Sequence, residues 1–155
     1  MPATDQAPLL THLCVSANPY PEDADPSGEE IIDRIRRKQL RILLVDDTDD
    51  FRDSMRFLLT EIYAAEVTDV DSGKRAIELV TAGEAFHVIF LDLIMPNMRG
   101  AEVYKKLRQT DASCRIVVMS AYSDSTEWKE VENLNVELVE KPIPDERLTS
   151  ILSEL

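Results

Sequence analysis

The sequence predicts an α/β fold, a (βα)5 domain around a five-stranded parallel sheet, preceded by an irregular arm. Three observations predict it. From Arg41 onward, short apolar runs alternate with segments whose apolar residues recur at helical spacing. Several of the runs are apolar throughout, as parallel strands covered on both faces must be. Acidic, hydroxyl and basic residues stand at the ends of four of them, the edge of a parallel sheet where ligands bind.

A chain of 155 residues suffices for one domain with a full core plus an appendage. Residues 1–40 hold five of the eight prolines, Pro2, Pro8, Pro19, Pro21 and Pro26, and read as a largely irregular arm. A short helix near 28–38 closes it. Ser27 with Glu30 fits a capping box there, and Arg34, Arg36, Arg37 and Lys38 suit a helix C-terminus. Ile31, Ile32 and Ile35 form a narrow apolar stripe, which either packs the helix on its own domain or docks a partner or second copy.

The main domain, 41–155, opens with the apolar run Ile42 to Val45. Phe51, Met55, Leu58, Leu59 and Ile62 then mark a helix, and Val67 to Val70 alternates as a second strand. Ala76, Ile77 and Val80 share the next helix face, which Gly83 stops. Val88 to Leu91 is wholly apolar. Val103, Tyr104 and Leu107 mark a helix, Ile116 to Met119 a fourth strand, and Trp128, Val131 and Leu134 a short helix. Val136, Leu138 and Val139 give a fifth strand, and Leu148, Ile151, Leu152 and Leu155 close the chain as a helix.

Polarity places the strands. The first, third and fourth are apolar throughout and belong in the middle. The second carries Glu66, Thr68 and Asp69, the fifth Glu137 and Glu140, as edge strands can. The order 2-1-3-4-5 satisfies this, an order matched to the flavodoxin-like group rather than deduced.

Asp92 ends the third strand, where a carboxylate projects into the crevice and can attack phosphorus to give an aspartyl phosphate. Two anions need a cation between them, and Mg²⁺ binds through one or two carboxylates, phosphate and water. Asp46 and Asp47 end the neighbouring first strand and can supply it, Asp47 as direct ligand and Asp46 through water. The same pair, alone, also suits an exposed helix start. Ser120 ends the fourth strand, where its hydroxyl can donate to a phosphoryl oxygen; alone it would read as a helix N-cap. Lys141 offers an ammonium from the far side of Asp92, though singly it reads as a solvent lysine before a turn. An X-Pro bond with Pro142 can be cis, aiming that lysine inward. Met95, Pro96 and Gly100 shape the loop after Asp92, where the Ile94 backbone carbonyl can complete the metal shell. Each signal is weak singly, and jointly they are strong.

On Asp46-Asp47, Asp92, the stretch from Asp92 through Met95-Pro96 to Gly100, Ser120-Ala121 and Lys141-Pro142, the segment 41–155 resembles the receiver (CheY-like) domains of two-component response regulators. The resemblance implies a phosphoryl group passed from a histidine kinase, or a histidine phosphotransfer protein, onto Asp92. It implies Mg²⁺, replaceable by Mn²⁺, at Asp46, Asp47, Asp92 and the Ile94 carbonyl. It further implies a switch rather than an enzyme acting on other substrates: Ser120 moves toward the phosphate, and a protein-binding face rearranges. Two positions depart from the family pattern. Leu138 stands where receivers often carry an aromatic, leaving Trp128 or Tyr122 as substitutes, and Leu134-Asn135 replaces a common Gly-Ala pair. Ile94 and Tyr122 flank the family's path for hydrolytic water, and neither orients a water, so slow autodephosphorylation is expected.

The formal charge of −13 argues against a nucleic-acid surface. No apolar run approaches the roughly 18 residues of a membrane helix, and Met1 to Leu13 lacks a basic leader. Cytoplasm is the expected location. Cys14 and Cys114 are too few for a disulfide framework, and His12 and His87 read as structural. No phosphate-binding G-x-x-x-x-G-K-[ST] loop is present. A dehalogenase-type phosphatase wants a second aspartate two residues after the nucleophile, where Ile94 follows Asp92. The expectation is a stand-alone receiver with an unknown downstream protein partner and a possible homodimer; the alternative is a pseudo-receiver acting as a phosphorylation-independent interaction module.

Overall fold

The computed structural model describes residues 27–111 and 113–155. The arm before Ser27, with His12 and Cys14, lies outside the described residues. Helix α1 (Gly28–Arg37) leads into β1 (Arg41–Val45), α2 (Asp49–Glu61), β2 (Glu66–Val70), α3 (Gly73–Thr81) and β3 (Val88–Asp92). Then come α4 (Gly100–Thr110), β4 (Arg115–Ser120), α5 (Thr126–Glu132), β5 (Glu137–Glu140) and α6 (Asp145–Ser153). All strand pairs are parallel and the order is β2-β1-β3-β4-β5, the expected flavodoxin-like sheet. Among the described residues no helix is long and apolar enough to cross a membrane.

The alternation of strand side chains splits the core in two. Ile42, Leu44, Phe90, Val117 and Met119 face α2 and α6, meeting Met55, Leu59, Leu148, Ile151 and Leu152. Leu43, Val45, Ile89, Leu91, Ile116 and Val118 face the other way, onto Ala76, Val80, Val103, Leu107 and Val131. The central strands β1, β3 and β4 are buried almost throughout, while β2 and β5 are only partly covered, as their polar residues foretold. Gly73 permits one tight crossing: a Cβ there would stand 2.2 Å from Cγ2 of Val103 on α4.

Helix α1 packs on its own domain. Ile35 is fully buried among residues of α2 and α6, with Ile31 and Ile32 partly covered beside it. Ser27 accepts the Glu30 N–H at 3.4 Å, the forward half of the expected capping box. The basic tail has a use the sequence did not suggest. Neither α2 nor α6 has a basic residue in its last turn. Arg36 Nε donates to the Ile62 carbonyl at the end of α2 at 2.7 Å. Lys38 Nζ donates to the Ser153 carbonyl at the end of α6, also at 2.7 Å. Both cations meet the negative ends of helix dipoles and satisfy carbonyls left without intrahelical donors.

Candidate functional site

Hydrogen bonds that continue the sheet one residue past its strands build the rim. Asp46 N–H donates to the Val70 carbonyl at 3.2 Å, Leu93 N–H to Met119 at 2.8 Å, and Lys141 N–H to Ser120 at 2.7 Å. Asp46 is thereby tied to β2, and Leu93 and Lys141 flank β4, while the β1–β3 pairing of Val45 with Leu91 brings Asp46 beside the end of β3. The Lys141-Pro142 bond is cis, as the sequence allowed.

Burial and charge meet at this rim. Asp46 and Ser120 are fully buried and Asp92 nearly so, while Asp47 is exposed. Lys141 Nζ lies 2.6 Å from Asp46 Oδ2 and 3.2 Å from Asp92 Oδ1. It sits between the two carboxylates rather than beyond Asp92, because two buried anions are tolerated only with a cation shared between them. Asp46 Oδ1 accepts the Thr48 N–H at 2.9 Å, so both its oxygens are engaged. Burial pushes the Asp92 carboxyl up to about 6; the Lys141 ammonium opposes this and the Asp46 charge adds to it. The Ile94 N–H, bonded to the Asp92 carboxylate, also favours the ionised form. Burial alone would lower the Lys141 pKa, but hydrogen bonds and charge from Asp46 and Asp92 hold it above its ordinary value.

Ligand oxygens of Asp46, Asp47 and Asp92 lie within 4.8 Å of one another. An all-oxygen set of three carboxylates fits a hard divalent cation such as Mg²⁺, and Asp47 is its solvent-exposed member. The exposed-helix-start reading accounts for Asp49 and Asp50 in the first turn of α2 but not for buried Asp46.

Ser120 ends β4 inside the crevice, and its hydroxyl turns to its own loop. Its Oγ accepts the Tyr122 N–H at 3.1 Å. It is not the helix cap: Ser125 is, accepting the Trp128 N–H at 3.0 Å. Gly100 is required by close approach, since a Cβ there would stand 2.6 Å from Leu93 Cα and 2.8 Å from the Asp92 carbonyl oxygen. Ile94 and Tyr122 are both exposed at the crevice mouth, at 40% and 64%. Trp128 is partly buried against the core on the α4–α5 side. Asn135 takes a left-handed conformation, φ 54°, which Asn adopts more readily than most residues.

Two residues of the site escaped sequence reasoning. Arg52 Nη1 donates to the Asp46 backbone carbonyl at 2.6 Å, while its other nitrogens meet Asp49 and, at 3.5 Å, Asp69. It clamps the turn that carries the acidic pair. Phe51, legible only as a core position of α2, places its ring under Lys141 Nζ at 4.4 Å from the centroid. Both follow the acidic pair within about a helical turn, a spacing that could have drawn notice. His87 Nδ1 accepts the Arg41 N–H at 2.8 Å, a structural role. Cys114 is buried, and burial raises its thiol pKa to about 11.

The family model described as the response regulator receiver domain matches residues 42–153. The chain is 31% identical over 115 residues to two-component response regulator ORR42 of Oryza sativa subsp. japonica, covering 74% of this chain and 86% of that protein. It is also 31% identical over 105 residues to a cyclic di-GMP phosphodiesterase of Thermotoga maritima, covering 67% of this chain but only 27% of that protein. A CheY-like receiver domain structure from Methanospirillum hungatei superposes with a TM-score of 0.66 at 22% identity, covering 74% of this chain and 91% of that one, a likeness of fold.

Proposed function

The chain belongs to the response regulator receiver family, and from that premise we propose that it accepts a phosphoryl group on Asp92 and thereby switches a protein-binding face. One observation carries the reading: a buried carboxylate at the end of β3 faces a second carboxylate across a shared ammonium, with a third at the solvent side. That arrangement has the parts a phosphoryl acceptor needs and little reason to exist as packing, since buried ion pairs of this kind rarely stabilise a fold.

The donor is a phosphohistidine of a histidine kinase or histidine phosphotransfer protein. An Asp92 carboxylate oxygen attacks phosphorus, the P–N bond breaks, and the imidazole keeps the electron pair and takes a proton. Asp46, Asp47 and Asp92, with the Ile94 carbonyl, would hold Mg²⁺ or Mn²⁺, which supplies charge neutralisation between the two anions. Lys141 exchanges an Asp46 oxygen for a phosphoryl oxygen. Ser120 leaves the Tyr122 N–H and donates to another, and the β4–α5 loop that it restrains is released with it. Trp128, packed on the α4–α5 side, and Tyr122, in that loop, are the aromatic residues available to report the change. The receiver body is 41–155, with 1–40 an arm whose helix is seated on α6. The downstream partner is a protein, a second copy among the candidates, and the expected setting is the cytoplasm.

Intact mass after incubation with acetyl phosphate tests this. The expected result is one added phosphoryl group that requires Mg²⁺ and disappears in Asp92→Asn. If no adduct forms, the interaction-module reading replaces this one.

A further inference from the structure

We propose that Phe51 is a positioning residue for Lys141, its ring face holding the ammonium in the crevice while the ammonium exchanges Asp46 for the phosphoryl group. The inference rests on the phosphoacceptor reading and adds a residue that the acidic pocket, Ser120 and Lys141 do not include.

The geometry is specific. An ammonium has three N–H donors and no acceptor. One of those of Lys141 donates to Asp46 at 2.6 Å, and Asp92 Oδ1 lies 3.2 Å from the same nitrogen as an ion-pair partner. The Phe51 ring, 4.4 Å from Nζ, presents the negative face of its quadrupole to the same charge. Phe51 stands in the first turn of α2, about one helical turn past the acidic pair, and is only partly buried. Its neighbours along the same stripe, Met55 and Leu59, are buried in the core and give α2 its anchorage. Packing alone therefore does not require an aromatic at 51.

The chemistry explains its use. Both carboxylate contacts change when Asp92 is phosphorylated, because one Asp92 oxygen becomes the bridging oxygen of the acyl phosphate and the transferred group brings new anionic oxygens that compete with Asp46. A directional partner would resist that exchange. A ring face attracts the ammonium over a broad area and lets it swing between oxygens without returning to water. Leu at 51 fills similar space without the attraction.

The test uses the full chain with phenylalanine, 4-fluoro-, 3,5-difluoro- and 3,4,5-trifluorophenylalanine placed at position 51, beside Phe51→Leu. Fluorination drains the ring face while nearly preserving its shape. The rate of phosphorylation by acetyl phosphate with Mg²⁺ is followed by intact mass, and the Lys141 Hε resonances are recorded in the metal-free protein. The proposal expects the rate to fall stepwise, by roughly 3- to 10-fold across the series. It also expects Lys141 Hε protons shifted upfield by the ring current in every aromatic variant, and not in Phe51→Leu. Equal rates across the series, or no upfield shift in the unmodified chain, would overturn it. A shift without any phosphorylation of the unmodified chain would instead defeat the phosphoacceptor reading and take this role down with it.

Discussion

Replacing Asp92 by Asn stabilises the metal-free protein at neutral pH, although the aspartate is the residue on which function turns. Burial raises its carboxyl from the ordinary 3.8 to about 6 even with Lys141 alongside. The folded protein therefore binds a proton more tightly than the unfolded chain. Stability falls as pH rises through the window between those two values, and above about 6 the folded state carries the whole penalty. The displacement corresponds to about 3 kcal/mol, with the attraction of Lys141 already contained in it. Asn keeps the shape and removes the charge, so urea unfolding in EDTA at about pH 7.5 should show Asp92→Asn more stable by about 2–3 kcal/mol. Near pH 4, where Asp92 in the folded protein is protonated, the difference shrinks to within about 0.5 kcal/mol. Mg²⁺ at a hundredfold excess over its dissociation constant stabilises the native sequence by about 2.7 kcal/mol, and Asp92→Asn by less. A neutral or destabilising Asp92→Asn at pH 7.5, or a difference independent of pH, would refute the reasoning.

Three further perturbations probe separate parts of the molecule. Gly100→Ala drives a methyl into the backbone of Leu93 and Asp92, at 2.6–2.8 Å. It should cost about 2–3 kcal/mol by denaturant unfolding and slow phosphorylation by displacing the loop behind Asp92. Ile35→Ala empties a fully buried site between α1 and the α2–α6 layer, so a loss of about 2–4 kcal/mol is expected; a loss below about 0.5 kcal/mol would mean that α1 only rests on the domain. The phosphorylated form should outlast seconds in Mg²⁺ buffer, because Ile94 and Tyr122 offer incoming water no carboxylate or amide. Time-resolved intact mass reads this, and Ile94→Asn together with Tyr122→Glu should shorten the lifetime.

Strand positions were legible because parallel strands buried on both faces must be apolar, and Ile42–Val45, Val88–Leu91 and Ile116–Met119 are. Residues at strand ends were legible for the same reason: once the runs are placed, Asp46, Asp92, Ser120 and Lys141 fall on one edge. The ion pair itself left no local trace, since Lys141 and Asp46 are 95 residues apart in sequence. Phe51 reads as one more apolar residue on a helix stripe until Lys141 is folded over it. Arg52 reads as an i,i+3 partner of Asp49, and only the folded turn shows it reaching the Asp46 carbonyl. The cations of α1 suit the end of their own helix equally well, and nothing local says that they serve α2 and α6 instead. Gly73 gives no sign in sequence that Val103 will press against it. What the sequence withheld in each case is a contact between distant segments, which periodicity cannot encode.

Borohydride reduction of the acetyl-phosphate-treated protein, followed by peptide mass mapping, tests the phosphoacceptor claim most directly, because an acyl phosphate is reduced to the alcohol where it stands. The expected product is homoserine at position 92, formed only with Mg²⁺ present. Homoserine at position 46 or 47, or an unreduced phosphate ester on Ser120, would contradict the assignment of Asp92 as the acceptor.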